Sequence, residues 1–341
     1  MNIIAAILVF GFIVFIHELG HFYFAKRAGV TIHEFSIGMG PKLFGFEKDG
    51  IVYNVRLFPI GGYVAMEGED EDSDDPNSFE KKSIKERFLS IVAGPLANIL
   101  LCIILFIPFF AILGTPGTTF EKVLPKSPSA VAGIKAGDKI VDIDGNKINS
   151  FNELTKTIVD SIGKKLDITI ERNGKELEKV VKPEKMSGKY MIGIQPKYER
   201  NLLKVIPHAI YTTYDISKTM LNFLWQLVTG QLSGNVMNSL SGPVGVIKMV
   251  STAASTGFLN LVYFTALISL NIGIFNLLPI PALDGWRILV LFIEFLRGGK
   301  KLPSKVEGYI NGAGLFVLLA FMLFITYKDI LRIFFLAKIF K

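Results

Sequence analysis

The residues best suited to chemistry sit in the first apolar stretch, where His17-Glu18-Leu19-Gly20-His21 sets two imidazoles four positions apart with a carboxylate between them. A helix brings residues four apart onto one face, so both rings can converge on one divalent metal while Glu18 serves as a general base beside it. Ionisable side chains are expensive inside an apolar helix and are kept there by a partner, which favours a metal over a simple structural pair. A catalytic zinc takes three protein ligands and keeps a fourth position open, so a third ligand has to come from elsewhere. Asp284 is the best candidate: it closes the stretch Asn276-Leu-Leu-Pro-Ile-Pro-Ala-Leu-Asp284-Gly285, where two prolines loosen the end of another apolar segment. The competing job for Asp284 is an interfacial helix cap. Glu34, Glu47 and Glu67 are the rival third ligands, but the first is too close to the motif and the others fall in a hairpin or an acidic run. His33 and His208 read as structural or surface histidines. Two His and one carboxylate suit zinc, and also accept iron or cobalt.

These groups need apolar elements to carry them. Half of the 341 residues are hydrophobic and the mean hydropathy is +0.43, a balance that points to a membrane protein. A span needs about 20 predominantly apolar residues, and residues 2–25, 88–113, 259–283 and 309–327 each supply such a run. No charged region precedes the first run and no small-residue cleavage site ends it, so it is expected to stay as a helix. The single cysteine, Cys102, lies in the second run and excludes an intrachain disulfide. The net charge of +7 is spread beside the spans and forms no stripe for nucleic acid. It reads as orientation. Lys26 and Arg27 after the first span, Lys81, Lys82, Lys85 and Arg87 before the second, and Arg287, Arg297, Lys300, Lys301 and Lys305 after the third place both intervening loops in the cytosol. That leaves the long stretch 114–258 outside, and His17, His21 and Asp284 toward the cytosolic side. The basic tail, Lys328, Arg332, Lys338 and Lys341, runs against this scheme and is read as lying along the membrane surface.

Between the first two spans, residues 43–66 alternate around Asp49-Gly50, a strong hairpin signal, and are apolar enough to dip into the membrane. Glu67 to Asp75 then holds seven carboxylates in nine positions and reads as a solvated loop. Residues 114–200 look like a compact mixed α/β domain, with turns at 135–138, Asp144-Gly145-Asn146 and Asn173-Gly174 and a helix from about Asn152 to Ile162. Residues 201–258 are expected as an amphipathic extracytoplasmic linker. The segment 201–229 carries Lys204, His208, Asp215 and Lys218, and a charge at mid-bilayer costs about 2.5–3.5 kcal/mol, which argues for a surface helix over a fifth span. The fold class is therefore a polytopic α-helical membrane protein of about four spans, with a membrane-associated β-hairpin and an extracytoplasmic α/β domain.

Taken together, these residues resemble the bacterial site-2 proteases, including those that release sigma factors from membrane-bound anti-sigma factors. The resemblance covers nearly the whole chain: the metal motif in the first span, Phe35-Ser-Ile-Gly-Met-Gly-Pro41, Gly61-Gly62-Tyr63, Gly94-Pro95-Leu-Ala-Asn98, Ser241-Gly-Pro-Val-Gly245, and Asn276 to Gly285. The run from Val123 to Gly145 resembles a bacterial PDZ domain, which takes an extended peptide by strand addition. Only one such domain fits here, whereas some family members carry two, and Asp284-Gly285-Trp286 stands where the family often has Asp-Gly-Gly. The resemblance implies an intramembrane zinc metalloendopeptidase of the bacterial cell membrane that cuts the spans of single-span proteins, such as anti-sigma factors or remnant signal peptides. It implies zinc on His17, His21 and Asp284, with Glu18 as catalytic base. It further suggests that Asn276 holds substrate backbone or an oxyanion, and that Gly61, Gly62 and Tyr63 contact substrate. Asn98 either contacts the substrate region, orients a metal ligand or packs between helices. The implied partners are single-span substrates, peptide ends at the PDZ-like domain and the bilayer. Two other readings stay open: a non-proteolytic adaptor working through its PDZ-like domain, against which the intact Glu18 argues, and a metal transporter, against which the absence of an inverted repeat argues.

Overall fold

The structure, a computed structural model, describes residues 2–69, 72–186, 188–231 and 242–339. The chain divides into two compact units, one of Met1–Phe109 with Ala209–Lys341 and one of Phe110–His208.

Among the described residues, four helices are long and apolar enough to cross a membrane, covering Ile3–Arg27, Ile84–Leu113, Phe258–Asn276 and Lys305–Leu331. They belong to α1 (Asn2–Arg27), α2 (Ile84–Leu113), α7 (Phe258–Asn276) and α9 (Ser304–Ile339). The third stops at Asn276 and not at 283 as the sequence suggests. Pro279 and Pro281 lack backbone N–H groups and push the residues before them out of the helical region, so the helix cannot continue through them. The chain turns through Ala282, held at φ 73° with its N–H on Asn311 Oδ1 at 3.3 Å, and starts again as α8 (Asp284–Leu296). Asp284 thus opens a new helix.

The hairpin consists of β1 (Ile32–Lys48) and β2 (Ile51–Met66). Asp49 and Gly50 have φ of 55° and 73°, and Lys48 pairs with Ile51, a two-residue turn with both central residues left-handed. The strands begin at Ile32, well before the expected Leu43, and they fold over on themselves. Residues 34–37 pair on one side with Ala65, Val64, Tyr63 and Gly62 and on the other with Val52, Tyr53, Asn54 and Val55, while 44–48 pair with the far side of 51–55. Four segments therefore lie side by side, with 62–66 at one edge. The inner face packs Ile32, Phe35, Ile51 and Val64 against Ala25, Phe79, Ile91 and Leu291. Leu43, Phe44, Phe46, Leu57 and Phe58 remain exposed. Glu34 ties the segments together: its Oε1 accepts from Asn54 Nδ2 at 2.7 Å and Arg56 Nη2 at 2.6 Å, and Arg56 also reaches Ser36 and Tyr63.

Three carboxylates of the acidic run are tied to the rest of the chain, while Asp72 and Asp74 are exposed as a solvated loop would have them. Glu67 contacts His33 and Ser73, Asp75 accepts from Thr31 Oγ1 at 3.0 Å, and Glu69 pairs with Arg287. Asp70 and Glu71 lie outside the described residues.

Among its described residues, the stretch expected as one linker carries two helices, α5 (Leu202–Val228) and α6 (Pro243–Thr256). Along α5, Leu203, Ile206, Ile210, Tyr214, Leu221 and Trp225 form an exposed apolar stripe, and Thr213 on the other face meets Cys102 of α2 at 3.6 Å. In contrast to a linker, α6 is part of the core: Val250 is fully buried with Ala6, Val9, Ile13 and Leu101. Ser241 of the Ser-Gly-Pro-Val-Gly motif lies outside the described residues, and Gly245 N donates to the buried Asp329 at 2.7 Å.

The second unit holds, beside the short helix α3 (Pro128–Val131), a sheet whose strands lie in the order Ile194–Glu199, Thr115–Val123, Lys139–Ile143, Leu166–Arg172 and Lys175–Val181. Its core of Phe120, Ile140, Ile143, Ile168, Ile170, Val181 and Ile192 is closed by Leu154 and Ile158 of α4 (Phe151–Asp160). Ser150 caps α4 by accepting from Glu153 N at 3.2 Å.

Candidate metal centre

Helical spacing puts His17 and His21 on one face of α1, and the restart of the chain at α8 brings Asp284 to the same point. His17 Nε2 and His21 Nε2 are 3.2 Å apart, and Asp284 Oδ2 lies 3.2 Å from the first and 3.5 Å from the second. A tetrahedral zinc with bonds of about 2.0–2.1 Å holds its ligand atoms roughly 3.3 Å apart. The buried Asp284 Oδ2 has no aligned hydrogen-bond donor, so three electron-rich atoms face a common centre. The residues fit the metal in donor type and spacing. Among the described residues this is the one group of three such side chains.

Each element that carries a candidate ligand is fitted closely. A Cβ at Gly20 would lie 2.7 Å from the Ala93 carbonyl carbon and 2.9 Å from Gly94 N, and a Cβ at Gly94 would lie 2.6 Å from His21 Cε1. The two glycines let α1 and α2 cross backbone against backbone, as small residues do at membrane helix interfaces. His21 Nδ1 then donates to the Ser90 carbonyl at 2.8 Å, and His17 Nδ1 faces the Asn98 amide at 3.3 Å. Gly285 plays the same part for Asp284, since a Cβ there would lie 2.5 Å from the Leu277 carbonyl. Trp286 in place of a second glycine leaves this contact intact.

The centre opens into a cavity of about 770 Å³. His17, Glu18, His21, Asn276, Asp284 and Arg287 line it on the helices, residues 62–66 line it from the sheet, and 67–69 continue the wall beyond it. Gly62 is pressed between α1 and the sheet, where a Cβ would lie 2.9 Å from both Glu18 Cγ and Ser36 O. Tyr63 is on the wall with its hydroxyl accepting from Arg56 at 2.6 Å, and Gly61 turns at φ 79° beside Met39. Asn276 faces the cavity while its Nδ2 donates to Ile272 O at 3.0 Å. His33 pairs with Glu67 at the surface, and His208 packs edge-on against Phe110; neither joins the centre. Sequence reasoning missed Gly20, Ser90, Arg287 and Glu69. Gly94, four residues before Asn98 on the facing helix, was a usable signal for the close crossing at Gly20, whereas the Ser90 carbonyl left none.

A model of peptidase family M50 matches residues 5–321. The chain is 37% identical over 333 residues to a Clostridium acetobutylicum protein whose name assigns it provisionally to the zinc metalloproteases, covering 96% of this chain and 97% of that one. It is 33% identical to the zinc metalloprotease RasP of Geobacillus kaustophilus, covering 98% of each. It is 32% identical over 421 residues to the regulator of sigma-W protease RasP of Bacillus subtilis, covering 98% of this chain and 99% of that one. That alignment is longer than the 341 residues present here. The PDZ domain of an SdrC-like protein from Listeria monocytogenes aligns with 24% of this chain and 87% of that domain, at 27% identity and a TM-score of 0.22.

Proposed function

This chain belongs to peptidase family M50, the site-2 proteases, and is a multi-pass intramembrane zinc metalloprotease; on that premise we propose that His17, His21 and Asp284 hold the zinc and that Glu18 moves the proton. The observation that carries the assignment is the convergence of the three ligand atoms at 3.2–3.5 Å. When bound, zinc supplies Lewis acidity, polarising a carbonyl and lowering the pKa of a water to about 7. Glu18 lines the same cavity without being one of the three. Its carboxylate takes a proton from water as the new C–O bond forms, then delivers it to the amide nitrogen as the C–N bond breaks, leaving a carboxylate and an amine. Asn276 offers an amide to the carbonyl oxygen as charge builds on it.

A helical peptide bond is shielded by its own hydrogen bonds, so a substrate span unwinds before it is cut. In our reading the edge 62–66 pairs with the unwound segment, supplying backbone partners where the bilayer has no water to offer. The charge pattern supports a centre toward the cytosolic side of a bacterial cell membrane and a second unit outside. The Val123–Gly145 pattern supports reading that unit as a PDZ-like domain that receives peptide ends from single-span substrates, anti-sigma factors among the chemical class. The test is cleavage of a reconstituted single-span substrate by wild type, Glu18→Gln and Asp284→Asn, with bound zinc measured in each. Glu18→Gln is expected to keep zinc and lose cleavage, and Asp284→Asn to lose both. Wild-type cleavage by Glu18→Gln would return the adaptor and transporter readings.

A further inference from the structure

We infer that Asn98 is a positioning residue: its side-chain oxygen accepts the Nδ1 proton of His17 and so fixes the tautomer that presents Nε2 to the metal. The inference rests on the ligand set proposed above. A ligating histidine needs an acceptor on its other ring nitrogen, which fixes both tautomer and ring orientation. His21 has one, the Ser90 carbonyl at 2.8 Å. His17 has no carbonyl in that place; its Nδ1 meets the Asn98 side chain at 3.3 Å.

Asn98 is fully buried, and its Oδ1 has no hydrogen-bond partner. With Nδ2 toward the ring, the His17 proton sits on Nε2, pointing at His21 Nε2 only 3.2 Å away. Turning the amide by 180° needs no extra space, because its oxygen and nitrogen ends are near-identical in shape. It places Oδ1 on Nδ1–H and frees the Nε2 lone pair. Ser90, Gly94 and Asn98 recur every four residues, so one face of α2 supports both rings and keeps a gap between them for the His21 ring. The backbone of Asn98 is held in turn by Ser269 Oγ on α7 at 2.8 Å.

The experiment is zinc affinity of the detergent-solubilised full chain, measured by chelator competition, for wild type, Asn98→Leu and Asn98→Asp. Asn98→Leu keeps the volume and removes the acceptor, and is expected to weaken zinc binding by about 10–100-fold. Asn98→Asp keeps an acceptor and is expected to bind zinc at least as tightly as wild type. A packing role predicts the reverse for Asp, because it buries an added charge. Asn98→Leu holding zinc within about twofold of wild type, or Asn98→Asp binding as weakly as Asn98→Leu, overturns the inference. Should Asn98→Leu fail to fold, the Asp variant decides alone: tighter or equal binding supports the inference and looser binding overturns it. In a parallel arm, unchanged zinc affinity in His17→Ala would overturn the ligand set itself, and the inference with it.

Discussion

Gly20→Ala should disable the centre without touching any group that does chemistry. The added Cβ would lie 2.7 Å from the Ala93 carbonyl carbon, against about 3.4 Å for an ordinary contact, and the atoms it meets are backbone. Side-chain rotation cannot relieve that, and the Ala93 carbonyl oxygen lies closer still, so α1 and α2 must part by about 1 Å at their crossing. Overpacking of this kind costs about 1–3 kcal/mol. The larger effect is geometric: the same displacement stretches the His21–Ser90 and His17–Asn98 contacts and pulls both rings from Asp284. Misplacement by about 1 Å can cost on the order of 100-fold in rate, so a fall of about 10–100-fold in cleavage is expected, together with loosened zinc. Gly11→Ala is the matched control, because it lies on the same helix with nothing within 4 Å of its Cβ position. The assay is single-span substrate cleavage and zinc content of both variants at equal folded fraction. Wild-type rate and zinc in Gly20→Ala would show that the helix crossing does not set the centre.

Three further outcomes follow from the same geometry. Arg87 and Glu294 form a buried pair through hydrogen bonds of 3.0 and 2.5 Å, so Arg87→Met alone should cost about 3–5 kcal/mol while Arg87→Met with Glu294→Leu costs far less; equal losses on thermal unfolding would contradict this. Val64→Pro should lower cleavage of a helical substrate while zinc stays bound, whereas Val55→Pro, at a position paired with both Ile37 and Phe44, should unfold the sheet; unaltered cleavage by Val64→Pro would remove strand addition from the mechanism. Burial resists the charge on Glu34, but hydrogen bonds from Asn54, Arg56 and Tyr63 override it and hold its carboxyl at about 2, below the ordinary 4.5. A folded value below the unfolded one gives stability that is complete above about pH 4.5 and is lost as pH falls toward 2. Hydrogen exchange at residues 34–37 should therefore quicken below pH 4 in wild type, and Glu34→Gln should flatten that dependence; identical pH profiles would refute it.

Much of the centre could be read from the chain because its signals are local. His17, Glu18 and His21 share one helix face, and the prolines at 279 and 281 mark the break that frees Asp284. The spans and the Asp49-Gly50 turn carry periodicity or turn chemistry of their own. What escaped was pairing between distant segments. No local pattern says that residues 34–37 have neighbours on both sides, or that Glu69 of an acidic run meets Arg287. The α6 segment looked like linker because fourteen residues are too few to span a bilayer, yet length says nothing of packing against α1. Ser90 contributes only its carbonyl, which any residue type has, so its role leaves no trace in side-chain chemistry.

On the ligand set proposed above, the separation of the ligands along the chain bears on how the enzyme comes into being. His17 and His21 emerge with the first helix, and α2 follows soon after with Ser90, Gly94 and Asn98. Asp284 follows nearly two hundred residues after Asn98, an interval on the order of tens of seconds at roughly 5–20 residues per second. Throughout that interval the nascent chain holds two oriented imidazoles and a base in the bilayer but has no third ligand. The competence to cut arrives only when α8 has been made and docks, so a chain stalled before that point is inert toward its membrane neighbours.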